Sequence, residues 1–360
     1  MASQIPKIID IQARAVNAPL ARPLRTAAGE IPSAALVLLD VMTDQGVTGR
    51  SYVFGYTPVT LRPMVDLVAN LRGLLVGETV APVERMRDFD RTFRLLGRQG
   101  LLGIVMSGLD MALWDALGQA HELSVVRLLG GEERPIPAYD SYGAIDPVAD
   151  RAAIEATVRQ GFKAIKIKVG TGDVETDVRT VAGVREIIGQ RVRLMVDYNQ
   201  TLSVPEAVRR IERLAEYDLE WVEEPVPAED LAGHAEVRVA AAVPIQTGEN
   251  WWFPEDMARA IAADACDFAM PDLMKIGGVS GWLRAMGQAE VASLPVSSHI
   301  FIEASAHVLA VTPTCHWLEY LDMAGAVIED PPAIENGTLT PRGPGLGMTW
   351  NEDAVARYAA

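Results

Sequence analysis

Three acids stand at equal steps in the middle of the chain: Asp197 in Leu194-Met195-Val196-Asp197, Glu223 in Trp221-Val222-Glu223, and Glu249 in Thr247-Gly248-Glu249. The steps are 223 − 197 = 26 and 249 − 223 = 26 residues, about one strand, one helix and two short loops of a β/α repeat. Equal steps through a β/α barrel put all three carboxylates at one rim. Converging carboxylates repel one another unless a hard divalent cation sits between them. Mg²⁺ takes oxygen ligands in octahedral geometry and keeps positions open for substrate oxygens.

Basic groups flank the acids on both sides. Lys166 and Lys168 alternate in Ala164-Ile165-Lys166-Ile167-Lys168, one predicted strand before Asp197. Residues two apart in a strand face the same way, so both ammonium groups point inward, where each is expected to lower the pKa of the other. A lysine tuned in this way can act as a general base near neutral pH. On the far side, Asp272 in Met270-Pro271-Asp272 and His299 in Ser297-Ser298-His299 end the next two predicted strands. An Asp behind a His fixes its tautomer and stabilises the imidazolium. Two bases across one metal suit removal of a proton on one face and its return on the other. Asn199, two residues past Asp197, is placed to face the same site.

These residues need a scaffold that brings strand ends together. The first part of the chain reads as α+β, with strands at Ile8 to Asn17, Ala35 to Met42 and Arg50 to Phe54. Helical patterns follow over roughly Thr60–Leu75, Pro82–Leu96 and Leu102–His121. From about Pro135 the pattern becomes strand–helix alternation, which predicts a parallel sheet with crossover helices. Strands are expected near 135–139, 163–168, 193–197, 220–223, 243–246, 267–270, 295–298 and 315–319. Eight such strands make a closed barrel the best architecture, and barrel enzymes carry their catalytic groups at the C-terminal strand ends. The expected organisation is an α+β capping domain over residues 1–130, a β/α barrel over 131–325, and a segment over 326–360 that packs back on the capping domain.

Bulk properties exclude several classes. A formal net charge of −16 and a pI of about 4.8 argue against nucleic acid and anionic membranes as partners. Cys266 and Cys315 lie in apolar predicted core and read as buried thiols, with no disulfide framework. The start, Met1 to Lys7, lacks an apolar signal core. No uninterrupted apolar run reaches the roughly 18 residues of a membrane span. A cytoplasmic location is therefore expected.

The chain resembles the enolase superfamily and, within it, the mandelate racemase branch. The Lys-x-Lys pair, the Asp/Glu/Glu set, the Asp–His dyad and a further acid, Glu319 in His316-Trp317-Leu318-Glu319, match in order and spacing from Arg14 to about Trp350. The resemblance implies a (β/α)7β modified TIM barrel, Mg²⁺ as cofactor and a symmetric homo-oligomer, often an octamer. It also implies that Lys166 offsets substrate carboxylate charge, and that a protonated Glu319 donates to that carboxylate. Ser141 matches a serine near the carboxylate. The stretch Pro19 to Ile31 matches a loop that caps the substrate, with Leu24 and Ile31 at positions that line an apolar pocket, and Tyr56 belongs to a second capping segment. The chain departs at Tyr142-Gly143 from a member of the branch that has a His and a Ser there, and Arg22 and Arg25 add charge near the lid. A lysine on the sixth barrel strand serves as base in the muconate-lactonising branch; here that position is Asp272 and Lys275 falls beyond it.

Together these features predict a Mg²⁺-dependent racemase acting on a small 2-hydroxy carboxylate such as mandelate. Lys168 and His299 would exchange the α-proton through an enediolate. The alternative is an acid-sugar dehydratase built from the same residues, in which His299 would protonate a departing hydroxyl.

Overall fold

The alternating N-terminal segments close into an antiparallel sheet of three strands, β1 (Ile8–Thr26), β2 (Gly29–Thr43) and β3 (Thr48–Phe54), in the order β1-β2-β3. The computed structural model describes residues 5–26 and 29–360. The first residues of the N-terminal stretch and Ala27-Ala28 of the capping stretch lie outside the described residues. β1 and β2 run further than their hydrophobic alternation suggests, out to a hairpin whose arms pair Leu24 with Ile31. Prolines at 19, 23 and 32 argue against strand in a sheet interior, but these arms project from the sheet and tolerate them.

Three helices cover the sheet: α1 (Leu61–Leu75), α2 (Pro82–Thr92) and α3 (Leu101–His121). α2 stops four residues short of its predicted end at Leu96. α3 is apolar nearly all round, which is the pattern of an interior helix. It is long and apolar enough to cross a membrane, but 78% of that stretch is buried inside the protein. A Cβ at Gly108 would stand 2.5 Å from Leu39 and 2.6 Å from Val53, so the glycine lets α3 lie directly on β2 and β3. Two buried acids of α3 tie distant segments together. Asp110 accepts from Ser280 N at 2.9 Å and Ser280 Oγ at 2.6 Å. Asp115 accepts from Arg50 N at 2.7 Å and Leu346 N at 2.6 Å. Burial pushes both carboxyls up to about 7.

The remaining strands form a parallel barrel. β4 (Ile136–Ala144), β5 (Ala164–Lys168), β6 (Arg193–Asp197), β7 (Leu219–Glu223), β8 (Ile245–Thr247), β9 (Phe268–Ala269) and β10 (Leu318–Tyr320) are ordered β10-β4-β5-β6-β7-β8-β9. β11 (Thr338–Leu339) adds antiparallel to β4. The strand expected at 295–298 is reduced to bridges, Ala269 to Val296 and Val296 to Cys315. Its backbone still completes the ring: Ser297 N donates to Ala269 O at 2.8 Å and Ser298 N to Trp317 O at 3.0 Å. Pro295 has no N–H to contribute, which shortens the regular ladder there. Cys266 is buried and Cys315 only half-buried; both thiols are free.

The end of the chain returns to the first sheet. Trp350 Nε1 donates to Asp40 Oδ1 at 2.8 Å, Asn17 N to Tyr358 O at 2.9 Å and Ala360 N to Ala15 O at 3.0 Å.

Candidate active site

Strand periodicity builds the barrel interior in layers. Tyr139, Ala164, Met195 and Trp221 form a buried apolar floor, with Phe268 and Trp317 packed against it. Two residues further along each strand stand Ser141, Lys166, Asp197, Glu223 and Glu319, all buried. In the sheet register Ser141 pairs with Lys166, Lys168 with Asp197, and Asp197 with Glu223.

Glu249 reaches the rim differently. The register partner of Glu223 on β8 is Gln246, three residues before Glu249. Gly248 makes up the difference with φ +142°, and a Cβ there would stand 2.9 Å from the Met270 backbone. Gly248→Ala is therefore expected to cost on the order of 1–3 kcal/mol of stability. It should also weaken Mg²⁺ binding about tenfold by displacing Glu249. Thermal unfolding and a Mg²⁺ titration of the variant check this, and unchanged metal affinity would show that the turn does not place the ligand.

The result is a triad of carboxylates, Asp197, Glu223 and Glu249, with one oxygen of each within 4.8 Å of the others. Burial pushes the Glu223 carboxyl up to about 8, with Lys166 pulling against it and Asp197 and Glu249 adding to it. Mutual repulsion of acids that the fold nonetheless holds together is the condition a divalent cation relieves, so the donor set fits Mg²⁺.

The two lysines differ from expectation. Burial opposes charge on both. On Lys166 it is outweighed by Glu223 at 2.6 Å and Glu319 at 2.8 Å, and its pKa is raised well above the usual lysine value. On Lys168 it is outweighed by Asp197 at 2.8 Å and by Glu249, and its pKa is also raised. The neighbouring ammonium, on which the sequence expectation rested, is a weaker influence than these acids. Lys168 also donates to Asn199 Oδ1, and Asn199 donates to Asp197 from its backbone N at 2.7 Å and from Nδ2 at 3.0 Å.

On the other side of the triad, His299 Nδ1 meets Asp272 Oδ2 at 2.5 Å and its Nε2 stands 3.3 Å from Glu249. Burial opposes the imidazolium, but Glu249, Asp272 and Glu319 raise its pKa to about 9. Burial also opposes the charge of Glu319, yet Lys166 and His299 bring its pKa down to about 2, so it is ionised here. It accepts from Ile300 N at 3.0 Å. The protonated Glu319 implied by family resemblance is therefore not the form that these neighbours favour.

Backbone strain gathers at the same rim. Asn199, Gln200, Glu224, Ile300 and Phe301 have φ of +43°, +67°, +35°, +36° and +50°. Such conformations persist where surrounding structure over-determines them, commonly at functional sites. At Glu224 the twist matters directly. Strand alternation predicts a side chain pointing away from the ligand Glu223, yet Glu224 is buried beside the triad and Oε2 accepts from Asn250 Nδ2 at 2.7 Å. Burial, then Glu249, Asp197 and Glu223, raise its pKa well above the carboxylate range.

The hairpin and the second capping segment reach this mouth. Arg22 donates to Asp140 at 2.7 and 3.2 Å and to Ser141 O at 2.8 Å, with its guanidinium 3.5 Å above the Tyr142 ring. Arg25 pairs with Asp150 at 2.5 Å. A Cβ at Gly143 would stand 2.2 Å from Arg25 O, so the departure at Tyr142-Gly143 is what lets the hairpin backbone lie on the barrel. Leu24 and Ile31 are half-buried on the hairpin. The Tyr56 ring packs on Phe54 at 4.7 Å and remains 47% exposed at the mouth.

Sequence reading missed several participants. Trp221 Nε1 and Gln246 Nε2 donate to Glu223 Oε2 at 3.2 and 3.3 Å. Trp221 lies two residues before Glu223, so period-two alternation could have found it. The Arg22–Asp140 contact has no local signal.

Two family models match the chain: the mandelate racemase / muconate lactonizing enzyme N-terminal domain over residues 8–130, and the enolase C-terminal domain-like model over residues 149–354. The chain belongs to the enolase superfamily, in its mandelate racemase branch. This superfamily member is 56% identical to an enolase from Bradyrhizobium crystallised with magnesium and mandelic acid, with a TM-score of 0.98 and complete coverage of both chains. It is 32% identical to D-galactarolactone cycloisomerase of Agrobacterium fabrum over 98% of each chain. It is 31% identical to L-talarate/galactarate dehydratase of Salmonella typhimurium over 75% of this chain and 71% of the relative. With the carboxylate triad, these likenesses make it a Mg²⁺-dependent enzyme of the superfamily.

Proposed function

We propose that the enzyme racemises a 2-hydroxy carboxylate with an apolar substituent on the α-carbon, such as mandelate. The observation that carries this reading is the order of groups around the barrel. Lys168 ends β5, the three metal ligands come from β6, β7 and the turn after β8, and the Asp272–His299 dyad follows. Two proton-transfer groups thus flank the metal centre from opposite sides, as exchange of one proton between two faces of a carbon requires.

Asp197, Glu223 and Glu249 would hold Mg²⁺, whose positive charge would offset that of an enediolate and weaken the carboxylate field that keeps Lys168 protonated. Lys166 offsets charge on the substrate carboxylate. Glu319 orients Lys166 and His299; an anionic carboxylate brought beside it would raise its pKa and allow it to donate. Lys168 serves one face of the α-carbon and His299, oriented by Asp272, serves the other. Asn199 and Ser141 offer hydrogen bonds to substrate oxygens. Leu24, Ile31 and Tyr56 would cover the substituent.

The ion pairs of the hairpin favour a monocarboxylate. Arg22 and Arg25 are engaged by Asp140 and Asp150, so neither stands ready for the second carboxylate of a sugar diacid. The likeness to the Bradyrhizobium enolase bound to mandelic acid supports the aryl acid, and the likeness to the cycloisomerase and the dehydratase keeps the acid-sugar reading alive. Incubating the Mg²⁺-loaded enzyme in D₂O with each mandelate enantiomer, galactarate and galactarolactone tests the choice. Deuterium at Cα with inversion of mandelate is expected. Faster loss of water from galactarate, with no exchange into mandelate, would replace the racemase by the dehydratase.

A further inference from the structure

Lys275 lies in the four-residue helix Leu273–Ile276 that follows Asp272, and is only 6% exposed. A buried ammonium requires partners. Its Nζ donates to Asn250 Oδ1 at 2.6 Å. An ammonium only donates, so it dictates which end of the amide faces it. The amide nitrogen is thereby turned toward two acids, Glu224 Oε2 at 2.7 Å and Glu249 Oε1 at 3.3 Å. From the other side the Tyr56 ring centre stands 5.1 Å from Lys275 Nζ, close enough for attraction between the cation and the ring face.

The three metal ligands are not held alike. Asp197 and Glu223 end regular strands and take donors from Asn199, and from Trp221 and Gln246. Glu249 stands past the end of β8 on the Gly248 turn and is the most exposed of the three, at 9%. Its neighbours are His299 and Asn250. Freed from Lys275, the Asn250 amide could turn end for end and present its oxygen to both carboxylates.

We propose that Lys275 is a positioning residue of the metal centre: acting through Asn250, it holds Glu249 in its ligating rotamer. The assignment rests on Asp197, Glu223 and Glu249 as Mg²⁺ ligands and is independent of the substrate. Calorimetric titration of the metal-free protein with Mg²⁺ tests it without recourse to turnover. Lys275→Met is expected to raise the Mg²⁺ Kd about 10- to 100-fold, the range found when groups that orient metal ligands are removed. Asn250→Ala should do the same, and adding Lys275→Met to Asn250→Ala should change Kd less than about twofold. A side chain that merely fills space would lower the unfolding temperature and leave Kd unchanged. Asn250→Ala carries the test if Lys275→Met fails to fold, because Asn250 is half-exposed. A Kd within twofold of native in Lys275→Met or in Asn250→Ala overturns the proposal, and so does a full additional loss in the double variant. If native protein binds no Mg²⁺, or Glu249→Gln binds it as tightly, the ligand set itself is wrong and the proposal falls with it.

Discussion

Stripping the divalent cation with a chelator is expected to abolish turnover, and added Mg²⁺ to restore it. The triad is built around a repulsion: three carboxylates within 4.8 Å, one of them pushed up to about 8 by burial and by its neighbours. A cation that binds only the folded enzyme stabilises it by about 2.7 kcal/mol at a concentration a hundred times its Kd. The metal-loaded protein should therefore also melt higher than the stripped one. Glu249→Gln spares the Glu223–Lys166 ion pair, although it also removes the carboxylate 3.3 Å from His299 Nε2. It should reduce kcat by about 10²–10³-fold, the scale of losing one electrostatic support of a developing oxyanion. Circular dichroism should show the fold retained. Undiminished activity in protein verified metal-free would refute the metal assignment.

A second large effect is expected at the two bases. If Lys168 and His299 serve opposite faces, neither variant can racemise, since each enantiomer needs one group to take the proton and the other to return one. His299→Asn leaves Lys168, the metal ligands and Lys166 in place. It should lose racemisation by at least the 10²–10⁴-fold typical of general acid–base catalysis. It should still exchange the α-proton of one enantiomer with solvent deuterium, without inversion. Lys168→Met should exchange the other enantiomer. Residual exchange will be slower than native turnover, because His299 and Lys168 each lie against a triad carboxylate and their loss perturbs the remaining field. Proton NMR of each enantiomer in D₂O reads both outcomes. Normal racemisation by His299→Asn, or exchange of the same enantiomer by both variants, would show that the bases do not oppose one another.

Much of the barrel was legible because its signals are local. Period-two alternation placed Lys166 and Lys168 together on one strand, and the strand ends at Asp197 and Glu223 followed from apolar runs bounded by loop residues. The extended hairpin was less visible, because its prolines mimic loop and its contact with the barrel, Arg22–Asp140, joins residues 118 apart in sequence. The seventh barrel strand was foreseen in place but not in form: its backbone bridges both neighbours while too few consecutive pairs form a ladder.

By itself, the sequence determined which chemical groups are present, their order along the chain and the faces of the strands that carry them. Those properties depend on residue type and on a repeat distance, both of which are local. Tertiary structure decided the rest. The equal steps of 26 residues do not by themselves align Glu249, whose register partner position is already past; the turn at Gly248 does so by a backbone conformation. The positive φ at Glu224 likewise brings a side chain back to the site that strand alternation would turn away. The charge states reverse expectation for the same reason. A pair of lysines two residues apart looks self-repelling, but Glu223, Glu319, Asp197 and Glu249 arrive from other strands and outweigh that repulsion. Electrostatic energy depends on distance in space and on burial, and neither is encoded in spacing along the chain.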